Sequence, residues 1–218
     1  MEITKVLPDD CISLIISLTS PRDACRMALL SHAFNSIADS NAVWQMFLPL
    51  DYIHIISNSS SPPSLLSLPK KDLYFTLCYH PILTHNGDMK FQLEKESGKK
   101  WYMVGARALS IQWVDTPRHW TWISLPDSRH TPVELDVSIE GTAAGEVRSV
   151  ILDPPRNMPQ QAKERVDGWL EIEMGEFFNG FENDRTVEFS LREDHDDQPK
   201  RGLIVQGIEL RPKHKNNR

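Results

Sequence analysis

Leu7-Pro8-Asp9-Asp10-Cys11-Ile12-Ser13-Leu14-Ile15-Ile16-Ser17-Leu18 opens the stretch that decides the fold, which runs on to Phe47 and Leu48. Pro8 suits a first helical position, because the N–H it lacks would have no partner inside a helix. Ile12, Ile15 and Ile16 recur at helical spacing, while Cys11, Leu14 and Leu18 carry apolar surface around the sides. Thr19-Ser20-Pro21-Arg22-Asp23 reads as a stop and a restart: Ser20 caps, Pro21 presets the first turn, and Asp23 meets the positive helix end. Ala24, Met27, Ala28 and Leu30 stripe the second helix. Ser31 caps a third that turns Phe34, Ile37 and Ala38 inward, and Asp39 or Ser40 opens a last turn to Val43, Trp44 and Phe47. Short helices over about forty residues bury little surface by themselves, so a covering partner is expected.

The whole chain is bounded by its composition. Its 218 residues are 40% hydrophobic and 25% charged with a formal net charge of −6, ordinary for one large or two modest globular domains. The acidic balance argues against nucleic acid as a partner. No apolar run is long enough to span a bilayer, and Met1-Glu2-Ile3-Thr4-Lys5 has no secretory apolar segment, so cytoplasm or nucleus is expected. Cys11, Cys25 and Cys78 sit in apolar contexts and read as buried thiols in a reducing compartment. The histidines are scattered without zinc spacing, so neither metal nor cofactor is expected.

After Pro49, Asp51–Ile56 is apolar enough to lie against the helices. Asn58-Ser59-Ser60-Ser61-Pro62-Pro63-Ser64 is the clearest linker, and Lys70–Tyr79 suits another helix. From about Gly87 the period changes to two. Met89, Phe91 and Leu93 alternate with polar residues, and further strands are expected at Trp101–Ala106, Leu109–Trp113, Trp120–Ile123, Val133–Ile139, near Val150–Leu152, Leu170–Met174 and Val187–Leu191. Leu203–Leu210 is almost continuously apolar and reads as a central strand. Short strands without intervening helices predict an antiparallel sandwich, giving an α+β protein. Glu193-Asp194-His195-Asp196-Asp197 reads as a solvated loop, and Arg211–Arg218 as a basic tail.

The ordered set of Leu7-Pro8, the isoleucine-rich first helix, the Pro21-Arg22-Asp23 restart, Ala28-Leu29-Leu30-Ser31-His32-Ala33-Phe34 and Trp44 resembles an F-box. That resemblance implies docking on the Skp adaptor of a cullin–RING ubiquitin ligase through Leu7, Pro8, Ile12, Ile15, Ile16, Leu30 and Trp44, as facing or supporting residues. A helical subdomain packing only on its own chain is the competing reading.

A second resemblance rests on Trp101–Trp122, on Asp167-Gly168-Trp169-Leu170-Glu171-Ile172-Glu173-Met174-Gly175-Glu176-Phe177-Phe178, and on Gly202–Lys213. These are similar to the phloem protein 2 lectin domain of plants, and the F-box followed by that domain resembles a plant family of F-box proteins. It implies a jelly-roll-like β-sandwich that binds N-acetylglucosamine oligomers or N-glycan cores. Trp113 and Trp120 match tryptophans implicated in sugar binding. An indole face accommodates the apolar face of a pyranose, and Asp115 and Glu176 are candidate acceptors for its hydroxyls. Trp113 also shares a face with Leu109 and Ile111 and fits core packing equally well.

One departure stands out. Pro126-Asp127-Ser128-Arg129 leads directly into His130-Thr131-Pro132-Val133, where the family runs through further central strands. The expected organisation is therefore an F-box over 1–50, a helical linker region over 51–86, and a lectin-like sandwich over 87–213 shortened after residue 128. Two functions follow from the resemblances: a substrate receptor of a Skp–cullin–F-box ligase holding a glycoprotein or protein target, or a lectin acting independently of ubiquitination. No phosphate loop, nucleophile elbow or metal constellation supports an enzyme.

Overall fold

The computed structural model describes residues 7–110, 132–139, 148–151, 161–177, 186–192 and 205–213. The helices are α1 (Asp9–Ser17), α2 (Pro21–Met27), α3 (His32–Ala38), α4 (Asn41–Phe47), α5 (Tyr52–Ser57) and α6 (Lys70–Tyr79). The strands are β1 (Ile82–Thr84), β2 (Met89–Leu93), β3 (Lys100–Gly105), β4 (Pro132–Ile139), β5 (Arg148–Ile151), β6 (Lys163–Glu164), β7 (Leu170–Glu171), β8 (Val187–Arg192) and β9 (Gly207–Leu210). Helices at the front are followed by antiparallel sheets, an α+β chain, and no sheet closes into a barrel among the described residues. No described helix is long and apolar enough to cross a membrane.

The helix starts follow their serines. Ser20 accepts from the Asp23 N–H at 3.1 Å, Ser31 from Phe34 at 3.3 Å and Ser40 from Val43 at 3.5 Å, so three successive restarts are capped by side-chain oxygens. Pro8 stands one residue ahead of α1 with ψ 150°, outside the helix it introduces.

The chain divides into two compact units, residues 1–110 with 205–218, and residues 111–204. In the first, the helices and the sheet β1-β2-β3-β9 share one hydrophobic core. Ile12, Ile16, Val43 and Trp44 from the front of the chain, Leu73, Tyr74 and Leu77 from α6, and Ile82, Phe91 and Leu93 from β1 and β2 are all buried in that cluster. Alternation along β2 puts Phe91 and Leu93 inward. In the second unit, β5-β4-β8 form an antiparallel sheet and β6 pairs with β7. Leu135 and Val150 are buried there, with Ile172 and Met174 packed against them.

Several expectations shift. Gly207–Leu210 pairs with β3 at the end of the described sheet instead of lying centrally, and Leu203 and Ile204 lie outside the described residues. The Leu170–Met174 strand stops at Glu171, after which Ile172 and Met174 serve as packing residues in irregular backbone. Cys11 is exposed, because it falls on the side of α1 turned away from Ile12 and Ile16, while Cys78 is buried. Of the strand expected at Leu109–Trp113, Leu109 and Ser110 follow a 3-10 turn, Ala106–Ala108, and are in no strand, while 111–113 lie outside the described residues, as does the strand expected at Trp120–Ile123.

Candidate functional site

Helix α1 carries apolar residues around most of its surface, beside the polar row Asp9, Ser13 and Ser17, so its orientation decides what remains for a partner. It packs on α2, α3 and α4, which take Ile12 and Ile16 inward. Trp44 backs this arrangement from α4. Its indole N–H donates to the Ala38 carbonyl at 2.7 Å, and its ring meets Phe47, Tyr74 and Phe75 at centroid distances of 5.5, 5.2 and 5.2 Å. Lys71 places its ammonium 5.7 Å from the same ring while pairing with Asp39 at 2.5 Å. A satisfied indole N–H and edge-on aromatic neighbours make this a fixed wall.

The other side is uncovered. Ile15 is 49% exposed and Leu30 68%, and they are joined by Leu14 at 59%, Leu18 at 73% and Leu29 at 85%. Ile12, Ile16 and Trp44 thus sit within the chain's own core, Ile15 and Leu30 face solvent, Leu7 is half-buried against the core and Pro8 is exposed. Leu14, Leu18 and Leu29 are the residues that sequence reasoning did not select. Their apolar character was visible, but a helix apolar around most of its surface does not say which flank its neighbours take. An apolar patch of this kind docks; it has no group to donate, accept or attack.

Two titratable groups of α6 belong to the core. Burial pushes the Cys78 thiol up to about 11 and drives the Tyr74 hydroxyl well above its ordinary range, and Tyr74 directs its O–H at the carbonyls of Glu94 and Lys95, each at 3.1 Å. Among the described residues, no group of three His, Cys, Asp or Glu side chains is placed to hold a metal ion.

Of the candidate sugar-binding residues, Glu176 is described and exposed, in the segment whose Ile172 and Met174 pack on Leu135 and Val150. Gly175 lets that segment pass close, since a Cβ there would stand 3.3 Å from Val137 Cγ2. Trp113, Asp115 and Trp120 lie outside the described residues.

The F-box domain's sequence model matches residues 6–46, which take in α1 to α3 and nearly all of α4. The model named Phloem protein 2 matches residues 99–134 and 129–212. The chain belongs to the F-box proteins with a phloem protein 2 domain. Among its relatives in Arabidopsis thaliana, F-box protein PP2-B10 is 37% identical over 256 residues, covering 94% of this chain and 92% of its own length. F-box protein PP2-B5 is 36% identical over 252 residues, covering 95% of this chain and 86% of its own. F-box protein PP2-B1 is 29% identical over 307 residues, covering 96% and 90%. No solved structure matches the chain. These alignments are longer than the 218 residues of this F-box protein, so each relative holds internal residues for which it has no counterpart. The phloem protein 2 match breaks into its two parts at 129–134, the place where the sequence passes directly from Arg129 towards Val133.

Proposed function

We propose that this chain is the substrate-recognition subunit of a Skp–cullin–F-box ubiquitin ligase. The F-box, residues 1–50, docks on the Skp adaptor; residues 51–86 link it to a lectin-like domain, residues 87–213, which holds a glycoprotein or protein target. One observation carries this reading: Leu14 and Ile15 of α1, Leu18 at its C-cap, and Leu29 and Leu30 in the turn between α2 and α3 are exposed, while Ile12 and Ile16 of α1 are sealed into a core. Covering such a patch gains about 25 cal/mol per Å² of apolar area before the costs of association. Ile15 and Leu30 make the docking contact, Leu7 and Pro8 border it, and Ile12, Ile16 and Trp44 hold it in shape from behind. The chain supplies proximity and no catalytic group, and it works in the cytoplasm or nucleus.

The test is co-purification of the full chain with a Skp adaptor. Leu30→Glu and Ile15→Glu abolish retention while leaving the thermal unfolding midpoint in place. Retention unchanged in both variants sinks the docking assignment.

The phloem protein 2 match over residues 99–134 and 129–212 supports a glycan as the recognition element on the target. Trp113 and Trp120 stack on the sugar, N-acetylglucosamine oligomers or an N-glycan core, and Asp115 and Glu176 accept its hydroxyls. The same domain acting independently of ubiquitination is the lectin alternative, and an adaptor-binding-deficient Leu30→Glu chain that keeps glycan binding separates the two.

A further inference from the structure

The segment between α5 and α6 fastens the open edge of the four-stranded sheet. Ser59 bridges Thr84 of β1, and the Ser60 N–H donates to the Leu83 carbonyl at 2.9 Å. Ser59 Oγ ties this clasp to the helix behind it, donating to the Ile56 carbonyl at 2.7 Å and accepting from the Ser61 N–H at 3.1 Å. Two backbone N–H groups, those of Ser60 and Ser61, therefore hold the strap in place. Immediately after them the chain runs through Pro62 and Pro63, with Pro62 extended at φ −66° and ψ 141°.

Ser61 precedes Pro62, and its surroundings present it. Ser60, Pro62, Pro63 and Ser64 are exposed, Ser61 is half-buried, and its hydroxyl makes no hydrogen bond with a described residue. The other described Ser-Pro pair is the opposite case. Ser20 Oγ donates to Asp23 Oδ2 at 2.8 Å and accepts from the Asp23 N–H at 3.1 Å, and Pro21 is buried. A half-buried serine whose hydroxyl bonds to no described residue, followed by an exposed, extended proline, fits the cleft of a proline-directed kinase; a capped serine against a buried proline does not.

We propose that Ser61 is a phosphoacceptor for a proline-directed kinase and that its phosphorylation releases the clasp on β1. Ser61 Oγ attacks the γ-phosphorus of ATP, the bond from that phosphorus to the bridging oxygen breaks, ADP leaves, and the hydroxyl proton passes to the kinase's base. The product carries close to two negative charges and three strong acceptor oxygens. Those oxygens stand beside the Ser61 and Ser60 N–H groups and compete with Ser59 Oγ and the Leu83 carbonyl for them. They also bring negative charge to the C-terminal end of α5, where the helix dipole already disfavours it. With the strap gone, the backbone of Leu83 at the sheet edge is open to water or to a pairing strand.

The experiment uses the full chain with Mg-ATP and a purified proline-directed kinase, read by peptide mass spectrometry and by hydrogen exchange before and after modification. Phosphate appears on Ser61 and not on Ser20, it disappears in Ser61→Ala and persists in Ser20→Ala. Exchange of the Ser60 and Ser61 amides rises at least tenfold, while exchange in α1 is unchanged. Absence of phosphate from Ser61, phosphate on Ser20 to the same extent, or a phosphorylated chain whose Ser60 and Ser61 amides exchange as before overturns the proposal.

Discussion

A Cβ placed on Gly98 would stand 2.7 Å from the carbonyl oxygen of Phe47. The turn between β2 and β3 is thus seated against the end of α4, and the Tyr74 hydroxyl of α6 holds the same turn through Glu94 and Lys95. Gly98 also has φ +70°, a left-handed conformation that costs a residue with a side chain about 1–2 kcal/mol by itself. Gly98→Val therefore loses stability through backbone strain and through displacement of α4, a sum of about 2 kcal/mol or more. Urea unfolding of the full chain measures it, and an unshifted midpoint would show that the turn does not rest on the helix. At the same turn, Arg22 reaches Glu96 at 3.2 Å with both side chains more than half exposed, so Arg22→Ala changes stability by less than about 1 kcal/mol.

Ile15 and Ile16 are neighbours with opposite fates. Ile16 is fully buried among α1, α3 and α4, and its truncation to alanine leaves a cavity costing about 2–5 kcal/mol. Ile15→Ala removes a half-exposed side chain and stays within about 0.5 kcal/mol of the parent, while weakening adaptor retention. Chemical denaturation and co-purification on the same two variants read both effects. Equal destabilisation by the two substitutions would mean that α1 is rotated from the orientation described.

The contrast shows where sequence reading stops. Ser20, Ser31 and Ser40 could be recognised as helix starts because a cap is a local bargain between one side chain and an N–H two or three residues on. The alternation of Met89, Phe91 and Leu93 likewise declares which residues of β2 turn inward. Orientation is not local. Cys11, Leu14, Ile15 and Leu18 have the same apolar character as Ile12 and Ile16, and only the placement of α3 and α4 separates them. Nor does any periodicity reveal that Phe91 and Leu93, seventy-odd positions beyond Ile16, fill the same core. The F-box signature was legible for a similar reason as the caps: its residues are close in sequence. The candidate sugar-binding set spans Trp113 to Glu176, and spacing does not encode which residues so far apart meet.

Burial gives the protein an alkaline limit. The Cys78 thiol rises from an ordinary value of 9.0 to about 11, and the Tyr102 hydroxyl from 10.0 to about 12, each chiefly because the charged form is kept from water. The folded chain holds these protons more tightly than the unfolded one. The stability they contribute is complete below pH 9, is lost progressively from about pH 9 to 11 for Cys78, and from about pH 10 to 12 for Tyr102. Urea midpoints taken from pH 8 to 11 fall on the alkaline side, and Cys78→Ala flattens the first part of that fall. Alkylation at pH 8 gives the matching kinetic readout: exposed Cys11 is modified in the native chain and buried Cys78 only when the chain unfolds. Equal labelling rates in the native chain would contradict the burial of Cys78.

The interruption of the phloem protein 2 match, at 129–134, falls in the second compact unit, residues 111–204. Among its described residues, Leu135 and Val150 are buried, with Ile172 and Met174 packed against them. The relatives hold internal residues that this chain lacks, and the match breaks at 129–134, at the entry to β4. Where a neighbouring strand is missing, its N–H and C=O partners are left to water or to nothing. Each buried group left unpaired costs on the order of 1–3 kcal/mol, a large share of a domain's net stability. Unfolding in urea should therefore proceed in two steps, with hydrogen exchange assigning the earlier one to residues 111–204 and the later one to the helices and their sheet. F-box protein PP2-B10, unfolded alongside, keeps its corresponding segment to a higher urea concentration. A single coincident transition in this chain, or equal midpoints and slopes for the two proteins, would show that residues 111–204 are no less stable for lacking the residues that the relatives hold.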